Sequence, residues 1–144
     1  MEYGFAPHSN SERNGHDIEF VTDFYPPLNV AEFASLYNIA ADLPDDTVRH
    51  FIRLAMTRTA IALEAWKEDQ RAAGVTEAPA EEFKAAVYTA AKADLLREHI
   101  AMDRKADAEN AATQAEELVA HYEALHTRAL ANIMGEQSIG VHLI

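Results

Sequence analysis

Between Pro44 and Gly74 the positions Val48, Phe51, Ile52, Ala55, Met56, Thr59, Ala62, Leu63 and Trp66 recur at three- and four-residue steps. That spacing lines them up along one side of an α-helix. Pro44 suits a first-turn position, where its missing N–H costs no intrahelical bond. Asp45 and Asp46 set negative charge against the positive end of the helix dipole, and Gly74 offers a left-handed stop. One helix of this extent would be about 45 Å long at ~1.5 Å per residue. Half its circumference is apolar, so it needs other elements to cover it. The chain is therefore expected to be a helical bundle with this stretch at its centre.

The flanking sequence supplies partners of the same kind. Asn29–Ala41 reads as a short helix, with Asn29 as N-cap, Glu32 three residues on as in a capping box, and Phe33, Leu36, Tyr37 and Ala40 on one face. After Gly74, Pro79 opens a second long helix to about Met102, with Phe83, Val87, Ala90, Ala91, Leu95 and His99 as its stripe. Asp103–Asp107 reads as a charged turn or a loosened helical stretch. A third long helix spans Ala108–Met134, burying Ala108, Ala111, Ala115, Leu118, Val119, Tyr122, Leu125, Ala129, Leu130 and Ile133, and Gly135 ends it. Short connections make neighbouring helices antiparallel. The expected fold is all-α: a short helix plus three long antiparallel helices in a small bundle.

The two ends differ from this pattern. Residues 1–28 are rich in Ser, Asn, Gly and Pro and read as an extended arm. Within it Asp17–Phe24 is a short extended piece with Ile18 and Phe20 on one side, and Pro26-Pro27 ends regular pairing. Its aromatics Tyr3, Phe5, Phe20, Phe24 and Tyr25 point to docking on the protein itself or on a neighbour. Residues 136–144 alternate Ile139, Val141 and Leu143 as a strand does, ending in Ile144. That tail has no evident strand partner in its own chain and is expected to pair with another protein. The helical domain proper is then 29–135.

Chemistry is sparse. The chain contains no Cys, which excludes disulfides, thiolate metal sites and cysteine nucleophiles. No apolar run approaches the ~20 residues that span a bilayer, so no membrane partner is expected. A carboxylate-bridged metal pair inside a bundle needs two Glu-x-x-His motifs, and Glu123-Ala-Leu-His126 is a single match. No zincin pattern, phosphate-cradling Gly loop or nucleophile elbow occurs. The expectation is a protein without catalytic residues, metal or cofactor.

The surface charges leave two readings open. Twenty-four acidic against twelve basic residues give a net charge of −12, which opposes generic binding to nucleic-acid phosphates. Arg49, Arg53 and Arg58 on the Pro44–Gly74 helix belong either to a solvated polar face or to a subunit interface. Glu109, Glu116, Glu117 and Glu123 on the last helix are either a solvated acidic face or the lining of a channel through which a polyanion slides.

From Arg53 to Ile144 the sequence resembles the L-type head completion proteins of temperate contractile-tailed phages. The resemblance lies in Ala62-Leu63-Glu64, Asp69-Gln70-Arg71-Ala72-Ala73-Gly74, the Ala-Pro-Ala-Glu-Glu linker, Tyr88-Thr89-Ala90-Ala91, the charged turn at Asp103–Ala106, and the apolar end Ser138–Ile144. Phe24-Tyr25-Pro26-Pro27 and the short helix fit in position. The resemblance implies a structural adaptor of the virion's head–tail connector, assembled in the host cytoplasm. Such a protein forms a ring under the portal after DNA packaging, twelve-fold like the portal, and lines the DNA channel without sequence-specific binding. It then presents the surface for the next neck or tail completion protein. The tail residues Ile139, Val141, Leu143 and Ile144 would dock on the portal by adding to a sheet or filling a groove. The competing readings are an acidic regulator or DNA mimic binding a basic partner, and a helical carboxylate-metal enzyme.

Overall fold

In the computed structural model the described residues are 17–20, 23–102 and 109–135. Among them are two two-residue strands, β1 (Asp17–Ile18) and β2 (Leu28–Asn29). Five helices follow: α1 (Val30–Leu36), α2 (Asp45–Ala62), α3 (Glu64–Ala72), α4 (Ala80–Met102) and α5 (Glu109–Met134). The all-α expectation holds, with one small antiparallel pairing added.

The centre of the bundle is α4, not the Pro44–Gly74 stretch. Phe83, Ala86, Val87, Tyr88, Thr89, Ala90, Ala91, Ala93 and Leu95 are all buried, and these positions cover every side of the helix. A helix apolar all round lies inside its domain. Both α2 and α5 pack on α4, and their mutual packing is minor. The run of alanines along α4 lets α5 approach closely. His99, expected beside the buried stripe, is exposed because the stripe ends at Leu95.

The predicted single helix from Pro44 divides at Leu63. This residue has φ −99° and ψ 6°, and its amide is shared between the carbonyls of Thr59 (3.0 Å) and Ala60 (3.2 Å). Lys67 N still donates to Leu63 O at 2.8 Å, so the chain tightens for one residue and resumes. The tightening sets Leu63 wholly inside the core and turns Ala62 out to solvent, against expectation. Pro44 is the N-cap rather than a first-turn residue; its carbonyl accepts from Thr47 N and Val48 N at 3.1 Å each. Gly74, at φ +92°, supplies the expected left-handed stop.

Helix α1 is shorter than predicted. It stops at Leu36 because Asn38 takes the left-handed conformation, φ 57°, and Ile39 N donates back to Ala34 O at 3.0 Å. This is a Schellman closure with Asn in the place Gly usually fills. In consequence Ile39 is buried while Leu36 (66 % exposed) and Ala40 face out, reversing their predicted places.

The segment before α1 belongs to the core in part. Ile18 pairs with Leu28 and Asp17 with Asn29, so pairing resumes directly after Pro26-Pro27 instead of ending there. Ile18, Phe24, Tyr25 and Leu28 are buried. Tyr25 stacks on Phe83 with ring centroids 4.5 Å apart, and Phe24 meets Trp66 edge-on at 5.8 Å. Ala78 N donates to Phe24 O at 2.9 Å, tying this segment to the α3–α4 connection. The aromatics described here dock on the protein itself, filling the space between α3 and the start of α4.

The charged turn at 103–107, Ala108 and the tail residues Ile139, Val141, Leu143 and Ile144 lie outside the described residues.

Candidate interaction surfaces

The outer side of α2 carries an apolar ridge. Val48, Ile52, Ala55, Met56 and Thr59 point into the core, while His50, Leu54, Thr57 and Ile61 occupy the opposite side. Leu54 is 48 % exposed and Ile61 71 %. Helical spacing puts Arg53 on one flank of this ridge and Arg58 on the other. The sequence reading missed the ridge because it followed only the stronger stripe. The signal was present, since Leu54 and Ile61 fall half a turn away from that stripe and have no place in it.

The three arginines proposed as interface residues are differently engaged. Arg49 is mostly covered and reaches Asp46 at 3.4 Å. Arg53 is exposed. Arg58 crosses to α4, its Nη1 3.2 Å from Asp94 Oδ2. Asp94 also accepts from Arg97 Nη1 at 2.8 Å, and Arg97 pairs with Glu123 of α5. A chain of alternating charge thus links α2, α4 and α5 along one side of the bundle. Its members are partly exposed, so each pair contributes at most about 1 kcal/mol and the chain mainly fixes helix register.

On α5, Glu116 and Glu117 are exposed, and Glu123 is half-exposed and engaged by Arg97. Positions 109, 116 and 123 fall at seven-residue intervals and share one edge of the helix. Leu118, predicted to be buried, is 47 % exposed on the other edge. The core-facing positions are Val119, Ala129 and Ile133, and Leu118 sits beside rather than on that line. Across the helix seam His126 Nδ1 donates to Ala86 O at 2.7 Å. Glu123 and His126, the one Glu-x-x-His match, are therefore each engaged across the α4–α5 interface. Among the described residues no three His, Asp or Glu side chains gather as a metal site would require. Nor is any described helix long and apolar enough to cross a membrane.

A second feature not foreseen is the hydroxyl of Tyr88. Asn29 caps α1 as expected, its Oδ1 accepting from Glu32 N at 2.8 Å. The hydroxyl of Tyr88 joins this cap, accepting from Asn29 N at 3.0 Å and donating to Glu32 Oε1 at 2.8 Å. Lys84 Nζ stands 3.4 Å from the same carboxylate. Burial, reinforced by Glu32, holds the Tyr88 hydroxyl well above the usual tyrosine range, so it stays protonated and able to donate. A tyrosine amid alanines on α4 was the available signal. Around it Phe33, Tyr37 and Tyr122 form a continuous aromatic cluster with centroid spacings of 5.2–6.1 Å. Lys92 lies 5.9 Å over the Tyr122 ring, and burial lowers its pKa. Tyr25 at the other end of α4 is pushed up to about 12 by burial and by Glu64.

These features describe a small helical bundle with a buried tyrosine-centred cap and an apolar, arginine-flanked ridge on the outer side of α2. The family model of the phage head completion protein (GPL) matches residues 21–144, and the chain belongs to that family. It is accordingly a structural head-completion component of a phage, associated with the virion and working through contacts with other head and tail proteins. Comparison with curated proteins and with solved structures found no match.

Proposed function

We propose that the chain is a connector adaptor that forms a ring beneath the portal once the genome is packaged, and that the ring serves as platform for the next neck or tail component. The observation that carries this reading is the extent of the family match, which runs from residue 21 through the tail to residue 144. The apolar C-terminal residues Ile139, Val141, Leu143 and Ile144 are assigned to portal docking by strand addition. The edge of α5 bearing positions 109, 116 and 123 is assigned to the DNA channel, where negative charge keeps a passing polyanion from adhering. Arg49, Arg53 and Arg58 are assigned to contacts between neighbouring copies.

The test is electron microscopy of purified portal rings incubated with the full chain and with a chain lacking residues 136–144. The full chain should add twelve-fold density under the portal. The truncated chain should keep its helical circular dichroism and add none. Equal density from both chains would remove the tail from the docking role, and no density from either would overturn the adaptor reading.

A further inference from the structure

We propose that the outward ridge of α2 in one copy seats the outer surface of α5 in the next copy, so that copies join head to tail. This rests on the adaptor reading above and names the two surfaces through which neighbours meet.

Charge selects the pairing. Between Thr47 and Leu63 the chain carries Arg49, Arg53 and Arg58 and no acidic residue, within a molecule of net charge −12. Packing α2 on α2 of a second copy would bring Arg53 and Arg58 against their own counterparts, and like charges across an interface oppose association. The outer side of α5 meets these arginines with Glu117, which immediately precedes the exposed Leu118; Glu116 and Glu123 lie on the opposite edge of the helix, and Arg128 lies beyond the Leu118–Leu125 interval.

Apolar spacing agrees with charge. Leu54 and Ile61 are seven residues apart on α2, as are Leu118 and the half-buried Leu125 on α5. Each pair therefore marks two helical turns, about 10 Å at ~1.5 Å per residue, and one ridge can register on the other. Both helices pack on α4 and little on each other, so their outer sides remain separate surfaces of one protomer. Two different complementary surfaces give a heterologous contact, which yields a ring when its rotation closes.

The absence of cysteine makes the contact directly testable. Phage particles are assembled with Leu54→Cys, Leu118→Cys or both, and oxidised mildly. The double variant should give a ladder of covalent multimers, an equal mixture of the two single variants covalent dimers and nothing larger, and each single variant alone monomer. Covalent dimer from Leu54→Cys alone would establish the two-fold pairing of α2 and overturn the proposal. No ladder from the double variant, while micrographs of the same particles show the chain beneath the portal, would overturn it and leave the adaptor reading standing. The chain missing from beneath the portal in unmodified particles would sink both. Independently, Arg53→Glu should abolish incorporation into particles and Arg53→Glu with Glu117→Arg should restore it; failure of the second change to restore incorporation also counts against the contact.

Discussion

Helices α4 and α2 use their apolar residues in opposite ways. On α4 they surround the axis: Phe83 stacks on Tyr25 of the N-terminal segment, while Tyr88 meets Phe33 of α1. On α2 they form two stripes, one buried from Val48 to Leu63 and one facing solvent at Leu54 and Ile61. The first helix is consumed by the fold. The second holds the fold with one side and retains apolar surface on the other, where a monomer has no use for it. Single exposed apolar residues are ordinary, but two placed one above the other between flanking arginines form a surface that association can exploit.

The contrast would break most visibly at Phe83. Its ring is fully buried, stacked on Tyr25 and in edge contact with Phe20 at 5.9 Å. Phe83→Ala should cost about 3–5 kcal/mol by removing the ring and leaving a cavity against Tyr25 and Phe20. Urea unfolding followed by circular dichroism measures it. A loss below about 1 kcal/mol would mean that α4 is not the element on which the others depend.

A smaller effect is expected at Tyr88. Replacement by Phe keeps the ring against Phe33 but removes the hydroxyl that accepts from Asn29 N and donates to Glu32. The part-buried Asn29 N–H and the Glu32 carboxylate each lose this bond, and the expected cost is about 1–3 kcal/mol. Asn29→Ala tested alone and with Tyr88→Phe sharpens the point. The two changes should be non-additive, because they dismantle one shared cap. Additivity would show that the hydroxyl and the cap act separately.

How much of this was legible beforehand differs by kind of signal. The long periodic segments were readable, since a 3.6-residue period sustained over several turns leaves little alternative. Asn29 with Glu32 identified the start of α1, and Gly74 and Gly135 the ends of α3 and α5, because their backbone requirements are local. What failed was set by distant contacts. Asn38 closes α1 early, yet many Asn residues lie within helices, and only the burial of Ile39 decides between the two. The tightening at Leu63 depends on the core that receives its side chain. Leu118 was assigned inward because it is apolar, and only the direction from which α4 approaches shows it to be on the flank. The entry of the Tyr88 hydroxyl into the α1 cap joins it to Glu32, 56 residues away in sequence, beyond any local pattern.

The smallest effect is expected on the outer side of α2, and it bears most on function. Leu54 and Ile61 face solvent in the isolated protomer, so changing both to Ser removes little buried area. The combined effect on unfolding free energy should stay within about 0.5 kcal/mol, as for surface positions generally. The comparable change on the inner side, Ile52→Ser, introduces a hydroxyl at a fully buried site and should cost several times more. Because the ridge is covered only when copies meet, the double Ser variant should be as stable as the parent chain yet enter phage particles poorly. Urea titration and quantification of the chain in purified particles test the two halves separately. Unchanged incorporation at unchanged stability would return the ridge to the status of ordinary surface, and a large loss of stability would show that α2 has no spare side after all.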